Sequence, residues 1–330
     1  KILLVILAIF LCVAFYELLG ICVAYKKQPE VSNTTKKETK NGSWNECSEN
    51  TERAVIIEKN PEALLQRVRL IQNAKEEIIL STFAFKSDES GKLILGALHD
   101  AADRGVHIRL LVDGMESWID MEGNPYFYGL SSHENVEIKL YNKANPLKPW
   151  KMMGRMHDKY LIADGKTYIL GGRNTYNYFL GDFPGHKNYD RDVLVVCNEP
   201  EKENSVNQLL DYFETIWDQE DSGYFHNNKK LANRKSVKNA VLELQNGYQK
   251  YFEENKERIC DTDYTDETFE TEKIALVSNS IHTGSKEPVV WYQLGELMKN
   301  AKNRVKIHTP YIICNDMMYN TWEEIAENVS

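Results

Sequence analysis

The sequence predicts an α/β layered domain that follows one membrane-spanning helix. The first observation is an apolar run over residues 1–25. The second is an alternation of β-prone runs with helical patterns, which is typical of layered α/β domains. The third is a likeness between residues 73–83 and 300–310, each the end of a helix leading into a strand, which hints at a duplicated unit.

The composition excludes several classes of protein. The chain has 330 residues, of which 42% are hydrophobic and 27% charged, so it is not a largely disordered or collagen-like chain. Six cysteines with no CxxC pair predict neither a disulfide scaffold nor a structural zinc site. The net charge of -9 argues weakly against a general nucleic-acid binder, which is usually basic.

The N-terminal segment predicts a single-pass anchor over residues 1–25. Residues 2–16 carry no charge, Glu17 interrupts, and residues 18–25 are apolar again. About 20 apolar residues span a bilayer, whereas the apolar part of a signal peptide is usually shorter and ends at a small-residue cleavage site. A cleaved signal peptide is the alternative. Glu17 is the main objection to the anchor, because a carboxylate within a span is costly.

Residues 26–55, being polar, are predicted to form a flexible tether.

The next elements follow from local patterns. Asn60-Pro61 predicts a helix start, with Asn60 as the capping residue. Residues 78–85 and 106–112 predict strands, and residues 91–104 predict a helix that stops at Gly105. These elements belong to a predicted first domain over residues 56–252.

The C-terminal part predicts the start of a second copy. Residues 253–272 hold nine acidic residues against Lys256 and Arg258, a net charge of -7, and predict a solvated linker rather than a metal site. Residues 273–330 then predict a second copy that has only begun where the sequence stops.

Outside the apolar segment, Cys197 and Cys314 are predicted to be buried thiols, whereas Cys47 and Cys260 could pair if the domain lies outside the cytoplasm.

The chemistry-bearing stretch is a predicted hairpin. Residues 160–163 and 167–170 are β-prone and are joined through Asp164-Gly165, a strong turn signal. Because residues two apart on a strand share a face, we expect His157 and Lys159 to project together. Gly171-Gly172 then lets the backbone bend or approach closely, and Asn174 offers an amide near the same end.

The local charge of this stretch suits an anion. Residues 148–173 contain six basic and two acidic residues, a net of +4 within an acidic protein. Lys159 and Asn174 can hold phosphoryl oxygens while a neutral His157 attacks phosphorus. The alternative is an exposed strand edge guarded by charges, with a histidine of no special role.

The pattern His-x-Lys-x4-Asp followed by Gly-Gly-x-Asn resembles the signature of the phospholipase D superfamily. The residues that carry the resemblance are His157, Lys159, Asp164, Gly171, Gly172 and Asn174. Asp190-Arg191-Asp192 resembles the family's acidic strand start, residues 106–114 its strand before the motif, and residues 309–311 the strand that opens its second half. The anchor followed by a catalytic part is most similar to the cardiolipin synthase-like branch.

This resemblance implies a fold, a mechanism and partners. The fold is a mixed sheet flanked by helices, in two copies. The mechanism uses no metal or other cofactor, and the implied catalytic residues are His157, Lys159 and Asp164. His157 is the nucleophile, Lys159 and Asn174 hold phosphate, and Gly171, Gly172 and Asp192 support the site. From its place at the turn, we expect Asp164 to be structural rather than chemical. The implied partners are membrane phospholipids, and no nucleic acid is expected.

The sequence departs from the family pattern in having no second motif. None of the other histidines has the required Lys and Asp spacing; they are His99, His107, His133, His186, His226, His282 and His308. At the internal offset of 227, a second motif would fall near position 384. We therefore expect a truncated reading of a longer two-motif protein, whose missing part supplies the second half-site, and an isolated chain of little activity. A one-motif protein that pairs two sites in a homodimer is the lesser alternative.

Three functions remain open on the sequence. The favoured one is a membrane-anchored enzyme that transfers a phosphatidyl group to give cardiolipin, or hydrolyses phospholipid to phosphatidic acid. The second is a nuclease or other phosphodiesterase. The third is a catalytically silent, membrane-anchored binding protein.

Overall fold

The computed structural model describes residues 1–42, 52–199, 203–226, 228–309 and 311–329. Cys47, one partner of the disulfide considered above, lies outside these residues, and Cys260 is an exposed free thiol. The helices are α1 (Ile2–Tyr25), α2 (Asn33–Asn41), α3 (Asn60–Asn73), α4 (Glu89–Asp103), α5 (Glu116–Met121), α6 (Pro125–Ser131), α7 (Ser205–Trp217), α8 (Lys235–Ile259), α9 (Val289–Lys299) and α10 (Asp316–Asn328). The strands are β1 (Glu52–Ile57), β2 (Glu77–Thr82), β3 (His107–Asp113), β4 (Val136–Tyr141), β5 (Tyr160–Ala163), β6 (Thr167–Gly171), β7 (Asp192–Cys197), β8 (Ser222–Tyr224) and β9 (Phe269–Glu270).

The strands form one mixed sheet in the order β8-β4-β3-β2-β5-β6-β7-β1-β9. Strands β2, β3 and β4 are parallel, because helices connect them, while β5 runs antiparallel to β2 and β6 antiparallel to β5. The direction of pairing therefore changes between β2 and β5. This confirms the predicted α/β fold with a mixed sheet and flanking helices.

Helices cover both faces of the sheet. Alternate strand residues such as Ile78 and Leu80 point into a core shared with α3, α4, α6 and α8. Their neighbours, such as Ile79, point to the opposite face, where Phe213 and Trp217 of α7 pack. Since successive side chains of a strand point to opposite faces, burial on both sides explains why β2 and β3 read as nearly continuous apolar runs.

The predicted hairpin forms as expected. The hairpin loop comprises residues 164–166, and Asp164 and Gly165 have φ of 52° and 59°, left-handed values that Asp and Gly tolerate in tight turns. Residues 160–163 pair with 167–170 in antiparallel register. Gly105 also ends α4 as predicted, with φ of 94°.

Three local predictions are corrected. Asn60 begins α3 but does not cap it; its amide instead contacts Arg173 and the carbonyl of Asn188. Strand β1 begins at Glu52, inside the segment expected to be a tether, since its apolar residues pair with β7. No strand forms over residues 304–309, which are mostly exposed and follow α9 without pairing to another described strand.

The acidic segment 253–272 is folded onto the domain. Helix α8 runs into it as far as Ile259, and β9 pairs with β1 at the edge of the sheet. Arg69, almost fully buried, contacts the side chains of Asp261 and Glu267 and the carbonyl of Asp263. The negative charge is therefore partly met by basic side chains of the domain. The division at residues 252 and 253 and the existence of a second copy stay predictions.

Helix α1 is long and apolar enough to cross a membrane. None of its residues is buried, as expected for a helix whose side chains face lipid. Its second half lies along the domain: Tyr16 donates to the carbonyl of Leu147 at 3.0 Å, and Ser285 donates to the carbonyl of Ala24 at 3.1 Å.

Candidate functional site

A buried carboxylate at the end of β3, that of Asp113, holds the backbone just before the motif. Asp113 accepts hydrogen bonds from the guanidinium of Arg155 and from the backbone N–H of Met156, both at 3.1 Å. It also accepts from the N–H groups of Met115 and Glu116. Burial raises the pKa of Asp113, although Arg155 opposes this rise. Asp113 thereby fixes the backbone just before His157.

His157 and Lys159 meet at one aromatic ring. The His157 ring lies 4.6 Å from the Phe83 ring, and the Lys159 Nζ lies 5.3 Å from the same ring. Phe83 follows β2, the neighbour of β5, so the sheet brings it to the motif. His157 is exposed on its open side, whereas Lys159 is 6% exposed. The two side chains project together, as the strand spacing predicts.

The pKa values of both bases are low. Desolvation lowers the pKa of His157, and the positive charge of Lys159 lowers it further. Desolvation also lowers the pKa of Lys159 to about 8, against the opposing effect of Asp158, Asp190 and Asp113. Near pH 7 the His157 imidazole is therefore mostly neutral and lies beside a mostly charged ammonium. The Lys159 Nζ donates to the carbonyl of His157 at 2.5 Å, which keeps the ammonium beside the imidazole.

Lys159, Gly171 and Asp192 lie side by side on three neighbouring segments of the sheet. The N–H of Gly171 donates to the carbonyl of Lys159, and Gly171 pairs with Asp192 on β7. A Cβ on Gly171 would lie 2.0 Å from Asp192 Oδ1, so only glycine fits. The fully buried Asp192 carboxylate is paired with the guanidinium groups of Arg67 at 2.9 Å and Arg173 at 3.2 Å. Gly171 and Asp192 therefore hold the strands under the site rather than reach its opening.

Gly172 and Asn174 follow Gly171 along the chain, after the end of β6. A Cβ on Gly172 would lie 2.1 Å from the Asp190 carboxylate, so glycine lets that acid approach the backbone. The Asn174 Oδ1 accepts from the backbone N–H of Ala84, next to Phe83, at 3.1 Å. Asn174 is thus brought to the same corner as His157 and Lys159.

Asp164 lies at the opposite end of the hairpin. Its carboxylate accepts from the backbone N–H groups of Lys75, Glu76 and Glu77 at 2.8–3.2 Å. The four residues of β5 separate it from the His157 end, a span of about 13 Å. The structure therefore places Asp164 away from the His157 end, in a contact that ties the hairpin turn to the segment between α3 and β2. This geometry favours a structural part for Asp164, and its catalytic assignment stays a prediction.

A cavity of about 380 Å³ opens beside the two motif bases. Its basic lining residues besides His157 and Lys159 are Arg155 and Lys286. Asp158 also lines it and accepts from the Tyr212 hydroxyl at 2.8 Å, while burial raises the pKa of this carboxyl. His157 is the one imidazole in the lining that the described residues provide.

Lys286 is the principal residue that sequence reasoning missed. Burial lowers its pKa, and its Nζ contacts the carbonyl of Arg155 at 3.4 Å. It lies 127 residues beyond Lys159, in a coil with no motif around it, so no local pattern signals its place. Phe83 was also missed, although the run of residues 78–85 pointed to a strand end beside the motif.

Other candidate groups lie elsewhere. His186 contacts the Tyr178 ring at 5.3 Å, and His308 is exposed; neither lines the cavity. Within the described ranges, no group of three or more histidine, cysteine or acidic side chains could hold a metal ion.

Comparison with known proteins gives a consistent result. Residues 67–217 match the family model described as "Cardiolipin synthase, PLD-like domain". The chain is 29% identical over 154 residues to cardiolipin synthase C of Escherichia coli K12, which is 42% of this chain and 31% of that protein. It is 34% identical over 129 residues to cardiolipin synthase 1 of Staphylococcus aureus MRSA252, or 39% of this chain and 25% of that protein. A Helicobacter pylori J99 protein is 30% identical over 212 residues, covering 60% of this chain and 39% of that protein. The chain thus spans between about a quarter and two fifths of the length of these relatives.

A solved structure supports the fold. The phosphatidylserine synthase of Haemophilus influenzae Rd KW20 aligns with a TM-score of 0.57 at 15% identity, covering 89% of this chain and 64% of that one. Together with the family match over residues 67–217 and the mixed sheet described above, this gives one conclusion. Residues 67–217 carry a phospholipase D-like domain that is similar to the domain of cardiolipin synthases.

Proposed function

We propose that the protein transfers or hydrolyses a phosphatidyl group through a phospho-histidine intermediate, with cardiolipin synthesis favoured over hydrolysis. The observation that carries the proposal is the position of His157 and Lys159 beside one another at the mouth of a cavity. The His157 ring is accessible but partly desolvated by its surroundings, and Lys159 is buried. A neutral imidazole is a nucleophile, and a positive charge held beside it stabilises the extra negative charge of a five-coordinate phosphorus.

The first step forms a bond between a His157 ring nitrogen and phosphorus and breaks the bond from phosphorus to the leaving alcohol. The leaving oxygen takes a proton from a general acid. In the second step an acceptor alcohol, or water, gives its proton to the group that acted as the acid, which is now a base, and displaces the histidine, which restores neutral His157. Lys159 and Asn174 hold the phosphoryl oxygens in both steps, and Lys286 adds positive charge to the cavity lining.

The general acid has to come from elsewhere. Among the described residues, His157 is the one histidine of the cavity, and it is occupied as the nucleophile. We propose that a second half-site supplies the acid, either from a further part of the same polypeptide or from a second copy of the chain. The apolar helix α1 would hold the site at a bilayer, where phospholipid substrates are concentrated.

The test follows labelled phosphatidylglycerol in membranes that contain the protein or its His157→Ala variant. Cardiolipin with released glycerol identifies transfer, and phosphatidic acid identifies hydrolysis. We expect the variant to lose activity by at least about 10³-fold, as nucleophile removal does in other enzymes. The control His186→Ala, outside the cavity, keeps full activity. Unchanged lipid with both the native protein and the control would overturn the proposal.

A further inference from the structure

The loop of residues 142–154, which leads directly into the motif, is held closed at its base. The side-chain amide of Asn142 donates to the carbonyls of Lys151 at 2.7 Å and Gly154 at 2.8 Å. The guanidinium of Arg155 donates back to the carbonyl of Asn142 at 2.7 Å. These contacts fix the two ends of the loop together, so its tip is presented in a defined position.

The tip exposes large apolar side chains. Leu147 is 75% exposed, Met153 58% and Trp150 45%. Lysines lie among them at positions 143, 148 and 151, and residues 143–153 contain no acidic residue. Clustered exposed apolar residues are unusual on a soluble surface, and apolar side chains interleaved with lysine are typical of surfaces that enter the headgroup region of a bilayer.

Helix α5 extends this apolar surface. Gly114, just before α5, approaches the loop so closely that a Cβ there would lie 2.8 Å from the backbone N of Lys143. Trp118 and Ile119 on α5 are 61% and 82% exposed. This helix has two acidic residues: Asp120 lies 3.8 Å from Lys86, and Glu116 is exposed in its first turn. The exposed apolar surface thus continues from the loop across the start of α5.

The loop also lies against α1. A Cβ on Gly20 would lie 2.4 Å from the Pro149 ring, so glycine is what allows this approach, and Tyr16 bonds to the carbonyl of Leu147. Tyr16 lies about 13 Å along the helix from its end at Tyr25, at 1.5 Å per residue. If α1 spans a bilayer whose hydrocarbon core is about 30 Å thick, Tyr16 lies about 10 Å inside that core, so the loop beside it reaches past the headgroups into the upper acyl chains.

We propose that the 142–154 loop, with α5 beside it, inserts past the headgroups of an anionic phospholipid bilayer into its upper acyl chains and brings the cavity to the lipid surface. The proposal rests on the proposed function only in taking α1 as a membrane helix. Continuity with α1 and the lysines of the loop favour a lipid surface over a protein partner.

The test measures the fluorescence of Trp150 in the full chain, reconstituted in vesicles of phosphatidylglycerol with plain or brominated acyl chains. Subtracting the emission of Trp150→Phe isolates the signal of Trp150. Insertion by roughly 5–10 Å brings the indole within reach of the bromines, and we expect roughly half of its emission to be lost. Leu147→Ser combined with Met153→Ser should restore most of that emission, because it removes apolar side chains that anchor the tip. The matched control Leu242→Ser, exposed on α8, should not.

Equal Trp150 emission in plain and brominated lipid would overturn the proposal, as would quenching that the double variant leaves unchanged. The measurement needs no turnover. A quenched Trp150 in a protein that leaves phosphatidylglycerol unchanged would therefore contradict the proposed function and support the loop, while full activity with an unquenched Trp150 would do the reverse.

Discussion

At the scale of single residues, the proposed mechanism needs a neutral His157 beside a charged Lys159 in one desolvated corner. Desolvation favours the neutral form of both side chains, which suits the proposed nucleophile and works against the proposed phosphate-binding charge. The pKa of Lys159 remains at about 8, so there is a pH interval in which the imidazole is neutral and the ammonium is charged.

The pH profile of kcat/KM should therefore be bell-shaped. Below the lowered pKa of His157, which lies under its usual 6.5, the imidazole is protonated and cannot attack, so the rate falls as the pH drops. Above a pH of about 8, Lys159 loses its charge and the rate falls again. Assays with a phosphatidylglycerol substrate between pH 5 and pH 10 measure both limbs. In Lys159→Arg the alkaline limb should move upward, since a guanidinium stays charged; an alkaline limb unmoved in that variant would assign it to another group.

Lys286 should contribute to substrate binding. Lys286→Met keeps the length of the side chain and removes the charge, and we expect KM to rise about 10-fold, the loss of one charge-assisted contact. The exposed Lys302→Met is the matched control and should leave KM unchanged. If both variants behave alike in a steady-state assay, Lys286 does not contact the substrate.

At the scale of elements, the hairpin and its neighbours show how far the sequence leads. The turn at Asp164-Gly165, the strands on either side and the shared position of His157 and Lys159 all follow from local residue types, and the structure has them. The position of Lys286 does not, because it depends on a long-range approach of a coil that has no periodic pattern. Strand β1 was missed for a related reason: it pairs with β7, some 140 residues away, and its own six residues give only a short signal.

The contact of Asp164 predicts a stability effect without a catalytic one. Asp164→Ala removes an acceptor from three backbone N–H groups and places alanine at a φ of 52°, which together should lower the free energy of unfolding by about 2 kcal/mol. Asp164→Asn, which tolerates this backbone and keeps one acceptor oxygen, should lose less. Denaturant titration measures both. A fall in kcat for folded Asp164→Ala would instead support the assignment of Asp164 as a catalytic residue.

Gly171 predicts a different kind of effect. A methyl group there would overlap Asp192 Oδ1 and the carbonyl of Arg191, so Gly171→Ala should force the strands apart and cost about 1–3 kcal/mol. Gly247→Ala, in α8 with open space around it, should instead be neutral or stabilising by up to about 1 kcal/mol. Thermal unfolding compares the two, and equal melting temperatures would show that the strands adjust freely.

At the scale of the whole molecule, the acidic segment is part of the fold. Arg69 holds residues 261–267 through side-chain and carbonyl contacts and lies 3.9 Å over the Tyr264 ring. Composition predicted a solvated linker because the segment is charged, but composition does not reveal a buried partner elsewhere in the chain.

Arg69→Met should release this segment. We expect a loss of about 2 kcal/mol, since charged hydrogen bonds are removed from partly exposed partners, and faster proteolysis within residues 260–272. Arg258→Met, which breaks an exposed pair with Glu62, is the control and should cost less than about 1 kcal/mol. Limited proteolysis followed by mass spectrometry locates the cuts, and equal cleavage of the two variants would contradict this account.

If α1 spans a bilayer and the protein acts as proposed, the close approach of Gly20 to Pro149 has a kinetic consequence. A helix locked to the loop that precedes His157 leaves the reactive centre little freedom to rise from or sink into a bilayer. An enzyme held in this way meets its substrate by lateral diffusion in two dimensions. Its rate would then depend on the mole fraction of substrate in the surface, and diluting that lipid with an inert one would slow turnover even at constant bulk concentration.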